Sequence, residues 1–364
     1  MIENRIKNHI QLENSKKEQV VLVFDIGLAI LRPMLSFSVI MTHCFNFNYL
    51  SGISKIIIFR LRKLEFHVPI FFIMSFYFSY KTVVSSDFKK KIIRLQRLFI
   101  PYCIWPTIYF FYYNNYLIKY YNKRKVYTYD VLKTQLLCGD GLPRMGIFWS
   151  QWTMIIFNIF FNLIIFISNF ILKRYFIIIF IALCFTAVVY QYNGSNLLYS
   201  FKCNNQNINS CVFCDVMMPY AVIGFIFSHF GIIKSMRKIR IIIIFSCIYF
   251  LYLISNYQVF NNIKGFYFGS YLIFSGITIF ILFSMFPSEI ITNKKIVNII
   301  KILTKNTAGI YFLHTAIKEI FSHHIIYIRK RTLKGCIIVY LICYLICLIG
   351  SYVFGKTKLR HLFE

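Results

Sequence analysis

Asp25, Arg32 and His43 stand in one run of otherwise apolar residues, "DIGLAILRPMLSFSVIMTH". On an α-helix Arg32 and His43, eleven positions apart, fall about 20° apart in azimuth and about 16 Å apart along the axis. Asp25, seven residues before Arg32, lies on the same stripe, with Ala29, Ser36 and Val39 between them. An arginine inside an apolar helix costs about 2.5–3.5 kcal/mol on insertion scales, so it is retained where it has partners or a use. Two readings fit. In one, Arg32 pairs with Asp25 as structural glue and His43 is a satisfied histidine. In the other, the stripe lines a watered cavity, where an imidazole with an ordinary pKa near 6.5 serves as a general base. Pro33 adds an irregularity, because its ring leaves the carbonyl of Ala29 without its helical partner.

Arg94 and Arg97 form a second candidate group, an R-x-x-R pair on neighbouring positions of one helical face. Two guanidinium groups so spaced either bind phosphate oxygens or anchor a helix end at a membrane surface. Lys89, Lys90 and Lys91 beside them fit the anchoring role. Tyr311, His314 and Lys318 occupy i, i+3 and i+7 of one late apolar segment and share a face there. No cluster has the spacing of a metal site, so neither metal nor organic cofactor is expected. Cys203, Cys211 and Cys214 fall within one loop, which leaves open both free thiols and a disulfide.

The elements that must carry these residues are membrane helices. With 58% hydrophobic and 15% charged residues, the 364-residue chain is too apolar for a soluble domain. Ten segments of spanning length recur, at 20–44, 67–83, 98–118, 146–171, 175–191, 217–233, 239–256, 266–286, 306–324 and 335–355. The expected fold is therefore all-α and polytopic, with about ten transmembrane helices. It comprises an N-terminal tail (1–19), one membrane domain (20–355) and a C-terminal tail (356–364). Residues 1–19 lack the apolar core and cleavage site of a signal peptide, and both termini are expected in the cytoplasm. Of the 41 Lys and Arg, this arrangement puts 23 in inner loops and tails and 16 in outer loops, a positive-inside bias. The net charge of +29 is spread over helix flanks without an RNA-binding signature, so membrane lipid, not nucleic acid, is the expected partner.

Six blocks in order resemble the acyltransferase 3 family of integral-membrane O-acyltransferases that modify bacterial surface glycans. Arg32 and His43, with ten residues between them, match its first-span signature. "HVPIFFIMSFYFSY" resembles "plFFxxSGf" and places Ser75, though Phe76 stands where glycine is usual. "KKKIIRLQRLFIPYCIW" is similar to its basic loop and "RLxxPyxxw"; "GIFWSQWTM" to "hlWFl", with Ser150 after Trp149; "MPYAVIGFIFSHF" to "FxxGxxl"; and "AGIYFLHTAI" to "giYlxH". The resemblance implies an acyltransferase that takes acyl groups from cytoplasmic acyl-coenzyme A and delivers them to a glycan acceptor outside. It implies His43 and Arg32 as catalytic residues and Arg94 and Arg97 as donor-binding residues. Asp25, Ser75, Tyr311 and His314 are then expected at the cavity. The expected activity is O-acetylation of an envelope polysaccharide or lipid-linked glycan in the inner (plasma) membrane. The alternative is a polysaccharide exporter or other membrane transporter, which would also want Arg32 and His43 facing a cavity.

Overall fold

A computed structural model describes residues 26–41, 67–121, 127–139, 148–171, 202–203, 206–207, 210–261, 270–287, 291, 293–324 and 333–357. Among these the architecture is helical. In chain order the helices are α1 (Ile26–Met41), α2 (His67–Val84), α3 (Phe88–Tyr121), α4 (Tyr129–Cys138), α5 (Phe148–Ile171) and α6 (Ser210–His229). They continue with α7 (Ile232–Met236), α8 (Arg240–Asn261), α9 (Ser270–Ser284), α10 (Lys294–Lys305), α11 (Thr307–His324) and α12 (Leu333–Phe354). The only strands among the described residues form a hairpin of two residues each, Lys202–Cys203 antiparallel to Gln206–Asn207.

Helices overlie nine of the ten expected spans; the segment 175–191, like residues 1–25 and 358–364, lies outside the described residues. The side chains of Cys203, Cys211 and Cys214 also lie outside them. Two helices among those described are both long and apolar enough to cross a membrane, through Ser150–Ile167 and Ile337–Phe354. Ile26–Met41, Met217–His229 and Ile273–Ser284 are apolar but shorter. The 34 residues of α3 reach about 51 Å, but its first turns carry Lys89, Lys90, Lys91, Arg94 and Arg97. The basic segment expected as a loop is thus the start of that helix. Asp87 opens it by accepting from the Lys90 N–H at 3.2 Å, and this bond together with the Lys90 ammonium holds its carboxyl below the usual range. A second departure is α4, which turns part of the expected loop 119–145 into a helix. It ends at Gly139, whose φ of 78° lies in the left-handed region that glycine tolerates.

The main core gathers Leu31 and Leu35 of α1, Phe72 and Phe76 of α2, Phe161 of α5, Phe225 of α6 and Phe280 of α9. A second, aromatic cluster joins α3 to α11 through Trp105, whose ring stacks on Phe312, and through Tyr109. The Tyr109 hydroxyl donates to the Phe312 carbonyl and accepts from Thr315 Oγ1 (2.8 Å) and Ala316 N–H (3.3 Å). A side chain of α3 thereby engages both ends of one i,i+4 backbone pair in α11 and fixes the register between these helices.

Gly224, in the segment similar to "FxxGxxl", lets α6 meet α2 backbone to backbone. A Cβ there would stand 2.1 Å from the Ile73 carbonyl oxygen, two residues before Ser75. Helix approach through small residues is how membrane helices gain packing when burial from water contributes little. Gly224→Ala is expected to cost about 1–3 kcal/mol or more, the range for overpacking. The measurement is the thermal midpoint in detergent. Gly276→Ala is the control, because its Cβ would meet Pro69 at an ordinary 3.7 Å and should leave that midpoint nearly unchanged.

Candidate active site

Pro33 sets the local chemistry of α1. Lacking an N–H, it leaves the Ala29 carbonyl open, and Thr304 Oγ1 at the end of α10 donates to that oxygen at 2.6 Å. The kink-prone point of α1 is therefore tied to the α10–α11 junction. One residue earlier, Arg32 is half-buried, with its guanidinium 5.0 Å from the centre of the Phe78 ring of α2.

Arg32 also faces a cavity of about 250 Å³ between α1, α2, α3, α5, α10 and α11. Arg97 and Lys305 line the same space. Three cations thus converge from three helices on a site walled by Val68, Phe71, Met154 and Phe312, and the apolar walls screen charge there less than water would. Hydroxyl groups complete the lining. Ser75 stands on the α2 wall, and Ser150 Oγ lies 2.9 Å from the Tyr311 hydroxyl. Gln151 is 7% exposed; its Nε2 donates to the Leu98 carbonyl at 2.9 Å. Its Oε1 is buried and has no hydrogen-bond partner among the described residues.

The structure separates the two arginines of the R-x-x-R pair. Arg97 is exposed and lines the cavity. Arg94 turns between α2 and α5: its Nε donates to Asn158 Oδ1 at 2.8 Å, and Nη2 to both the Ser75 carbonyl and Ser75 Oγ at 3.3 Å. Asn158 is held in turn by donating Nδ2–H to the Met154 carbonyl at 2.8 Å. Arg94 thus cross-links three helices behind the cavity wall, close enough to Arg32 for the two positive charges to repel.

Arg32, Ser75, Arg97 and Tyr311 come together at the cavity. His314 does not line it. It is fully buried, with Nδ1 donating to the Tyr311 carbonyl and its own carbonyl 4.0 Å from Cys343 Sγ of α12. Asp25 and His43 lie outside the described residues. Ser38, five residues before His43, has its Oγ 3.5 Å from Nδ1 of buried His67. The last turns of α1 therefore pack against the start of α2.

Three cavity residues escaped the sequence reading. Lys305 counted as a flanking cation, Ser150 as a departure from a motif, and Gln151 not at all. A glutamine inside an apolar segment was the available signal, since polar side chains there seldom go unused.

The family comparison agrees with the geometry. The model of the acyltransferase 3 family, described as an acyltransferase domain, matches residues 25–356, nearly the whole chain. No curated protein and no solved structure matches the chain. With that match spanning every helix that lines the cavity, the chain belongs to the acyltransferase 3 family and is an acyltransferase.

Proposed function

We propose that the chain is a ten-span inner-membrane O-acyltransferase, an O-acetyltransferase by preference, moving an acyl group from cytoplasmic acyl-coenzyme A to a hydroxyl of an envelope polysaccharide or lipid-linked glycan. The observation that carries this reading is the cavity at which Arg32, Arg97 and Lys305 meet from three helices. Coenzyme A bears a diphosphate and a 3′-phosphate, for which such a cluster is chemically suited. At about 250 Å³ the cavity falls below the roughly 300–1,000 Å³ of sites that enclose a drug-sized ligand. It suits the acyl-pantetheine end, with the phosphates held at the mouth by Arg97 and Lys305.

In this reading His43 takes the proton from the acceptor hydroxyl as the oxygen attacks the thioester carbonyl. Arg32 offsets the negative charge that develops on the carbonyl oxygen. Collapse of the tetrahedral species breaks the carbon–sulfur bond, and the departing thiolate takes the proton from His43. Ester and free coenzyme A result, and the histidine returns to its starting state. Arg94 holds the wall that carries Ser75.

The test is the ester content of surface glycan, read as acid released by alkali, in strains with and without the wild-type chain. Ester that depends on the chain supports the assignment; glycan exported without ester in the wild type overturns it and favours an exporter. Reporter fusions after Lys173 and after Gln191 should read inside and outside respectively. The opposite pattern would reverse the orientation.

A further inference from the structure

Helix α10, "KKIVNIIKILTK", differs from every other described helix of comparable length: it is strongly two-faced and none of its residues is buried. At 100° per residue Lys294, Asn298, Lys301 and Lys305 fall within about 60° of one another, while Ile296, Ile299, Ile300 and Leu303 occupy about 100° of the far side. On that side Ile296 and Ile299 are 47% and 56% exposed. A soluble protein would bury that face, and a crossing helix would not carry lysines along one side. Twelve residues also reach only about 18 Å, short of a hydrocarbon core of roughly 30 Å.

We infer that α10 is an in-plane anchor, lying at the boundary of headgroups and acyl chains of the inner leaflet, with Ile296 and Ile299 in lipid and Lys294 and Lys301 against anionic phospholipid headgroups, while Lys305 at its end turns to the cavity. Charge supports this occupant, since the helix holds four lysines and no acid. So does the side-chain chemistry. The exposed face is wholly aliphatic, without the Trp, Tyr or Arg that anchors protein partners. An aliphatic stripe bordered by lysines is what an interfacial helix presents to lipid. The placement has a consequence for the site. Thr304 and Lys305 at the end of α10 reach the Ala29 carbonyl and the cavity, so the position of the anchor at the membrane sets the position of one cavity wall.

The inference rests on the membrane reading above and is independent of the donor and acceptor. A photoreactive benzophenone residue is placed singly at Ile296, Ile299, Asn298, Lys301 and, as a spanning control, at Leu345 of α12, which is 53% exposed. The full-length protein is irradiated in vesicles of phosphatidylcholine with phosphatidylglycerol, and phospholipid adducts are read by mass. Adducts at Ile296 and Ile299 about fivefold above those at Asn298 and Lys301, comparable with Leu345, are expected for an in-plane helix. They should fall when phosphatidylglycerol is omitted, and fall likewise in Lys294→Gln with Lys301→Gln. Adducts at Leu345 but none on α10, equal adducts on both faces of α10, or adducts to protein in place of lipid would overturn the anchor while leaving the membrane reading intact. Absence of lipid at Leu345 would remove both.

Discussion

Strains producing His43→Ala at wild-type level are expected to carry glycan with at least about 100-fold less chain-dependent ester, with membrane insertion unchanged, as loss of a general base predicts. The described histidines offer no substitute. His314 is buried against α12 with Nδ1 committed to the Tyr311 carbonyl, and it does not line the cavity. His67 faces Ser38 at the start of α2. His229, at the end of α6, has its Nδ1 2.7 Å from the Tyr80 hydroxyl, and none of the three lies on the stripe of Arg32. Arg32→Lys is expected to lower ester by about 100-fold as well, within the range for removing one donor to a developing oxyanion. Lysine keeps the charge but lacks the planar fork that Arg32 holds over the Phe78 ring. Ester content is compared at matched expression, with detergent-extracted protein run on a sizing column to confirm folding. Full ester in His43→Ala would remove the base assignment even though the family stands. A loss in Arg32→Lys matched by loss of folded protein would return Arg32 to structural pairing.

Parts of this arrangement were legible in single residues and parts only in pairs far apart in the chain. Pro33 announced an open carbonyl at Ala29, because a missing N–H is a covalent fact. That Thr304 fills it, 275 positions away, depends on how α10 docks, which no local pattern encodes. Hydropathy located the long apolar helices but not α4 and α10, which fall between the expected spans. It set the start of α3 ten residues late, because the lysines that mark a membrane surface are also good helix formers. Helical spacing was least reliable where it was asked to say which residues act together. Tyr311 and His314 are three residues apart, as are Arg94 and Arg97, and in each pair about 60° of azimuth separates the two. At a junction of several helices that angle sends one side chain into the cavity and the other into a packed seam: Tyr311 and Arg97 line the space, while His314 and Arg94 are held by neighbouring helices.

That division makes the two arginines separable by experiment. Arg97→Ala should leave the thermal midpoint of the purified protein nearly unchanged and weaken acyl-coenzyme A binding by about tenfold, the worth of one charge-assisted phosphate contact. Because Arg97 is exposed, the part of donor affinity that it supplies should fade as salt is raised, so the variant's affinity should depend less on ionic strength than the wild type's. Arg94→Ala should do the reverse in the first instance. It removes the donor to Asn158 Oδ1, which is buried, and unlinks Ser75 from α3, so stability should fall by about 1.5–3 kcal/mol, the range for a hydrogen bond to a charged group. Donor affinity then drops only as far as the wall carrying Ser75 shifts. Arg94→Lys should recover little stability, because one ammonium cannot replace two differently directed N–H groups that reach α2 and α5 together. Calorimetric binding of acyl-coenzyme A and thermal unfolding, measured on the same preparations, distinguish the roles. Equal loss of affinity with unchanged stability in both variants would put Arg94 back beside Arg97 as a direct phosphate ligand. Unchanged affinity in Arg97→Ala would make Lys305 and Arg32 the cations that hold the donor.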